Sequence, residues 1–209
     1  MRLVLVLVLL LSSLPLSAKE DRPTILVVGD SISAGYGVAV DDGWVGRLSS
    51  RLDAKDYPHR VVNASITGDT TSGGRARLPD ALDRHEPAIV VIELGGNDGL
   101  RGQPLEAMRA NLRAMIEAAR GAGARVLLLG IRLPPNYGRA YIDRFIGVYE
   151  ALAEDTGVAL VPRVLDGVGE RREFMQDDGI HPNADGHEVI LDNVWPTLLP
   201  LLKATSGAT

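Results

Sequence analysis

Thr24-Ile25-Leu26-Val27-Val28-Gly29-Asp30-Ser31 decides the fold. From Thr24 to Val28 the chain is apolar without alternation, and it stops at Gly29. An unalternating apolar run is the mark of a strand buried on both faces, as in a parallel sheet. Similar runs recur along the chain: Val61 to Ile66, Ala88 to Leu94 with Gly95-Gly96 after it, Arg125 to Ile131, and Val158 to Val161. Helical spacing separates them. Trp44, Val45, Leu48 and Leu52 share one face. Leu105, Met108, Leu112, Met115, Ile116 and Ala119 form an apolar stripe that Gly121 and Gly123 terminate. Tyr141 to Thr156 reads as a further helix, and His187 to Leu202 as a C-terminal one interrupted at Pro196. Strands alternating with helices imply right-handed βαβ units and a doubly wound parallel sheet in one domain.

In such sheets the site lies beyond the C-terminal ends of the strands. Ser31 follows the first strand, Gly68 the second, Asn97 the third and Arg132-Leu133-Pro134 the fourth. These positions therefore belong to one rim. Asp177-Asp178-Gly179-Ile180-His181-Pro182 precedes the last helix and can fold back over it.

The residue types on that rim suit nucleophilic catalysis. A serine hydroxyl needs a base to take its proton. His181 is the candidate base, and Asp178, three positions earlier, would fix its tautomer and stabilise the imidazolium. Asp177 is a rival carboxylate at a less suitable spacing. Pro182 restrains His181 to an extended backbone. A tetrahedral intermediate also needs donors aimed at its oxyanion, and the candidates are the backbone N–H of Ser31, that of Gly68, and the side-chain amide of Asn97. Asp30 and Asp98 read as turn residues that hold the loops by hydrogen bonds. His59, His85 and His187 read as surface or structural, with His187 the one rival base.

Composition bounds the alternatives. The chain has 209 residues, a net charge of −5 and no cysteine. That length supports a core without disulfide staples. The charge balance gives no footprint for nucleic acid or an anionic membrane. The lack of cysteine removes thiol nucleophiles and thiolate metal sites. Met1-Arg2, the apolar run Leu3 to Leu11, and the small residues up to Ala18 read as a signal peptide over residues 1–18, with the mature domain over 19–209. The run is too short for a membrane-spanning helix, which needs about 20 apolar residues. No Gly-x-Gly-x-x-Gly, phosphate loop or His-Glu-x-x-His occurs. The residues around Ser31 are not the Gly-x-Ser-x-Gly elbow of α/β-hydrolases, which points to another serine hydrolase lineage.

Gly29-Asp30-Ser31-Ile32-Ser33, Gly68, Gly95-Gly96-Asn97-Asp98 and Asp178-Gly179-Ile180-His181-Pro182 resemble the four blocks of the SGNH (GDSL) hydrolase superfamily. The stretches 62–70, 93–102 and 131–138 are similar to its bacterial acyl-CoA thioesterase I, protease I, lysophospholipase and arylesterase branch. The resemblance runs from Thr24 to Leu202. Thr67, where that branch is expected to carry Ser, and Thr71-Ser72 depart from it without touching the site positions. It implies a three-layer αβα, flavodoxin-like fold with a five-stranded parallel sheet. It implies Ser31, Asp178 and His181 as the triad, with Ser31, Gly68 and Asn97 as the oxyanion hole. The loop from Asp98 to Gly102 would cover the acyl chain, with Leu100, Leu133 and Pro134 in contact with it. No metal or other cofactor is implied.

The expectation is a periplasmic or secreted, monomeric serine esterase and thioesterase. Its substrates would be small acyl esters, thioesters and lysophospholipids, with no nucleic-acid partner and no membrane span in the mature chain. A carbohydrate O-deacetylase on the same scaffold and a non-catalytic flavodoxin-like binding module are the alternatives.

Overall fold

The structure, a computed structural model, describes residues 22–206. The expected signal peptide, residues 1–18, lies outside them. Five strands form one parallel sheet in the order β2-β1-β3-β4-β5: β1 (Thr24–Gly29), β2 (Arg60–Asn63), β3 (Ile89–Glu93), β4 (Arg125–Leu129) and β5 (Ala159–Val161). All residues of β1 and β3 are buried, whereas the edge strands β2 and β5 are partly exposed. The unalternating runs are thus the central strands, covered on both faces.

Among the described residues, seven α-helices accompany the sheet: α1 (Ser31–Ala34), α2 (Trp44–Ala54), α3 (Thr71–His85), α4 (Gly96–Leu100), α5 (Leu105–Gly121), α6 (Arg139–Thr156) and α7 (Ala184–Thr205). Helix α2 packs on α7, α3 on α5, and α5 on α6. With right-handed crossovers, these pairings place α2 and α7 on one face of the sheet and α3, α5 and α6 on the other. The stripe on α5 packs as its spacing predicts, with Met108, Leu112, Met115, Ile116 and Ala119 buried. Arg47 and Arg51 of α2 bridge to Glu188 of α7 at 2.8 and 2.7 Å, and Arg51 also reaches Asp192 at 2.7 Å.

Two helices correct the sequence reading. The sequence reading names no helix between the second and third strands, and α3 fills that crossover. Gly73, Gly74 and Pro79 mask it in the sequence, but Thr70 caps it by accepting the Gly73 N–H, and Leu78 and Leu82 bury its inner face. A side chain at Gly74 would collide with Leu94, so the glycine sets the close approach of α3 to the β3 exit. The C-terminal helix is not interrupted at Pro196. It begins at Ala184, behind an Asn183 cap, and runs through Pro196 and Pro200. A proline inside a helix costs about 3 kcal/mol. Ile190, Leu191, Val194, Leu198 and Leu202 are buried on both sides of Pro196, and each such burial contributes roughly 1.5–3 kcal/mol. Packing therefore outweighs the local penalty.

The register aligns the strand ends that matter. Gly29 pairs with Glu93, and Val27 with Asn63. From β1 the chain first turns outward to β2 and then crosses back to β3. The gap beyond β1 and β3 is therefore the topological switch point, where open α/β sheets hold their ligands.

Candidate active site

Asp30 and Ser31 leave β1 into α1. Asp30 caps that short helix, its Oδ1 accepting the Ile32 N–H at 3.1 Å. The turn closes over Glu93, the last residue of β3, which is fully buried. Its Oε2 accepts from Ser33 Oγ at 2.7 Å, from the Ser33 N–H at 3.2 Å and from the Asp30 N–H at 3.4 Å. A Cβ at Gly29 would stand 2.8 Å from that oxygen, so glycine is required for the approach. Ser33 Oγ also accepts from Trp44 Nε1 at 3.2 Å, which ties the turn to α2.

The chain beyond β2 lies beside this turn. The Ile66 N–H donates to Gly29 O at 3.0 Å. Gly68 has a φ of +79°, which a side chain would strain. Its carbonyl accepts from Arg101 Nη2 at 2.9 Å. Among the described residues, neither the Ser31 N–H nor the Gly68 N–H donates to a protein acceptor. Beyond β3, Asn97 sits in the first turn of α4. Its Nδ2 donates to Asp30 Oδ2 at 3.0 Å, which uses one of its two protons and leaves the other available. Asp98, expected to hold a loop, instead lies within α4 and ties it to the start of α3, accepting from Thr71 N–H at 2.9 Å and Thr71 Oγ at 2.5 Å.

Asp178 and His181 come from the loop ahead of α7. Met175 and Pro182 form an antiparallel bridge there. The Gln176 N–H donates to His181 O at 2.8 Å, and Gln176 Nε2 donates to Pro182 O at 2.8 Å and to Tyr36 O at 2.7 Å. Asp178 Oδ1 accepts the backbone N–H groups of Ile180 and His181 at 2.9 and 3.0 Å. Its other oxygen lies 2.6 Å from His181 Nδ1, and His181 Nε2 lies 3.0 Å from Ser31 Oγ. The Tyr36 ring stands 4.6 Å from the imidazole, centroid to centroid. The rival His187 is buried, and its Nδ1 accepts the Trp44 N–H at 3.3 Å.

Charge follows geometry. The His181 ring N–H and the two backbone N–H groups hold the Asp178 carboxyl down at about 2. Burial pushes Asp30 up to about 6, against the lowering effect of the Ile32 N–H and the Asn97 amide. Burial, and then the nearby Asp30 charge, push Glu93 well above the carboxylate range. His187 falls to about 4 because burial disfavours its cation.

A cavity of about 480 Å³ opens from Ser31, Asn97 and His181. Leu100, Ile131, Leu133, Leu165, Met175 and Ile180 supply most of its apolar wall, and Pro134 joins them at the edge. Leu133 is otherwise buried, and Pro134 is exposed. Arg132 and Glu170, paired at 3.2 Å, stand at the rim. Gly68 lies on the adjoining loop rather than on the cavity wall. Among the described residues, no group of three or more His, Asp or Glu side chains is placed to hold a metal ion, and no helix is long and apolar enough to cross a membrane.

The profile of the GDSL-like Lipase/Acylhydrolase family matches residues 27–189, most of the chain. The chain belongs to that family. This acylhydrolase is 54% identical over 187 residues to the Esterase TesA of Pseudomonas aeruginosa, a match that covers 90% of this chain and 93% of that protein. It is 43% identical over 183 residues to the Thioesterase 1/protease 1/lysophospholipase L1 of Escherichia coli, with 88% and 86% covered. A crystal structure of TesA superposes with a TM-score of 0.84 at 56% identity, covering 85% of this chain and 99% of that one. The acylhydrolase thus has the SGNH hydrolase fold. Sequence reasoning missed two polar residues that shape its site: Glu93 and Gln176. Each acts on residues distant in the chain, and only Glu93 left a trace, as a carboxylate inside an otherwise apolar strand.

Proposed function

We propose that this acylhydrolase cleaves carboxylic esters and thioesters through a Ser31 acyl-enzyme. The observation that carries the reading is the unbroken relay from Ser31 Oγ to His181 Nε2, 3.0 Å, and from His181 Nδ1 to Asp178 Oδ2, 2.6 Å. His181 takes the Ser31 proton as the hydroxyl attacks the acyl carbonyl. Asp178 stabilises the imidazolium that forms. The oxyanion receives the N–H groups of Ser31 and Gly68 and the second proton of Asn97 Nδ2. The protonated His181 then delivers its proton to the departing alcohol or thiol, and a water deprotonated by His181 releases the acid.

The acyl chain would lie along Leu100, Ile131, Leu133 and Pro134. The apolar character of that wall favours arylesterase, thioesterase and lysophospholipase chemistry over deacetylation of sugars, since an acetyl group would leave most of the cavity unused. The chain is exported as a periplasmic or secreted protein by a leader over residues 1–18, and acts as a monomer. Ser31→Ala tests the reading: ester and thioester turnover should fall by several orders of magnitude with the thermal unfolding midpoint unchanged. Wild-type turnover in that variant would overturn it.

A further inference from the structure

We infer that Arg77, on α3, is a positioning residue that holds the two backbone donors of the oxyanion hole in mutual register. The inference rests on the proposed reading of Ser31 and Gly68. The Arg77 guanidinium touches three segments. Its Nη2 donates to Gly29 O at 3.3 Å, two residues before Ser31. Its Nη1 donates to Ala64 O, at the exit of β2. Its Nε donates to Asp69 Oδ2 at 2.8 Å, directly after Gly68. Asp69 is itself fixed, its Oδ1 accepting the Thr70 N–H at 2.9 Å and its own N–H donating to Ile66 O at 3.1 Å. The pair is largely shielded, with side-chain exposures of 23% for Arg77 and 12% for Asp69.

A planar guanidinium presents its donors in a fixed fork. Three acceptors engaged at once therefore define the relative placement of the Gly29–Ser31 turn and the Ala64–Asp69 loop. Those two segments carry the Ser31 N–H and the Gly68 N–H. Gly68 cannot fix itself, because glycine has the widest backbone freedom. Arg101 also restrains it through Gly68 O, but that arginine is exposed. A preorganised donor pair gains its catalytic effect from not having to reorganise as charge develops on the oxygen. Loosening the register should therefore weaken transition-state binding and leave ground-state binding of the acyl chain alone.

The test is steady-state kinetics on aryl esters for Arg77→Met, Arg77→Lys and Asp69→Asn, with active sites titrated by an organophosphonate so that rates are per reactive serine. A single oxyanion donor is worth about 10²–10³ in rate. A misplaced rather than deleted donor should therefore lower kcat by roughly 10–100-fold in Arg77→Met, with KM within about twofold. Arg77→Lys should recover part of that loss, since an ammonium can satisfy some of the three acceptors. A residue that merely supports the fold would lower the titratable fraction and the unfolding midpoint but not kcat per titrated site. Wild-type kcat per site in folded Arg77→Met overturns the inference. If that variant does not fold, Arg77→Lys and Asp69→Asn carry the same comparison, and wild-type kcat per site in both overturns it. Ser31→Ala run alongside separates the two readings: if it stays active, the Ser31 mechanism fails, whereas its inactivity beside an unaffected Arg77 variant removes only this inference.

Discussion

Asp30 Oδ2 accepts a hydrogen bond from Asn97 Nδ2 at 3.0 Å, across the switch point between β1 and β3. One buried carboxylate thereby aims the side-chain amide that flanks Ser31. The same carboxylate is raised to about 6 by its burial. An acid whose folded-state pKa exceeds its unfolded value binds its proton more tightly when folded. Its ionisation therefore costs stability as pH rises from the unfolded value, 3.8, through about 6. At about 1.36 kcal/mol per pKa unit, that cost is roughly 3 kcal/mol at neutral pH. Asp30→Asn should remove it. Denaturant titrations should show the variant gaining on the wild type between pH 4 and 7, with a net gain of about 1–2 kcal/mol after its altered hydrogen bonds are counted. Activity should move the other way, because the introduced amide can turn its own NH2 toward Asn97 and displace that side chain. A kcat unchanged in Asp30→Asn would detach Asp30 from the positioning of Asn97.

Asn97 itself should contribute to the transition state and little to ground-state binding. Asn97→Ala is expected to lower kcat by about 10²–10³ while KM changes little. Aryl ester kinetics with titrated sites would measure the split. A rise in KM at constant kcat would instead make Asn97 a substrate-binding residue.

Asp178 is held at about 2 by the His181 ring N–H and two backbone N–H groups. It is therefore ionised throughout the pH range in which a histidine base works, and its own titration should be absent from the kcat profile above pH 4. The stabilisation it provides is present above its unfolded value and is lost as pH falls toward 2. Asp178→Asn should leave the ring without its anionic partner and reduce kcat by up to about 10⁴, as wrong-tautomer variants of such triads do. A loss under tenfold would show that the loop's backbone bonds alone orient His181.

Leu100 lines the cavity at the end of α4, where Tyr137 Oη donates to Leu100 O at 3.0 Å. Leu100→Asp should penalise long acyl chains selectively. With each buried methylene worth about 0.8 kcal/mol, kcat/KM for dodecanoyl esters should fall about tenfold or more relative to acetyl esters. A uniform loss across chain lengths would place the acyl chain elsewhere in the cavity.

The strands and the Asp178–His181 pair were legible because each is local, whereas Ser31 stands 150 residues from His181. An unalternating run as short as Thr24 to Val28, closed by Gly29, fits a central strand better than a helix, and Asp178 and His181 share one loop. Helix α3 was not legible because Gly73, Gly74 and Pro79 are poor helix formers, and the reason for Gly74 is Leu94, twenty residues away. Pro196 misled for the converse reason: its local cost is visible in sequence, while the buried Leu198 and Leu202 that override it act through tertiary packing. Glu93 and Arg77 could not be assigned a role from sequence, since their partners are brought near only by the β1–β3 register and the packing of α3.

The central claim is that Ser31 is the acylated residue. Peptide mapping by mass spectrometry, on protein quenched after reaction with an organophosphonate, tests it most directly. The account predicts one adduct per chain, on the peptide containing Gly29-Asp30-Ser31-Ile32-Ser33 and localised to Ser31, with labelling abolished in Ser31→Ala and slowed in His181→Ala. A stoichiometric adduct on another residue, or full labelling of Ser31→Ala, would contradict it.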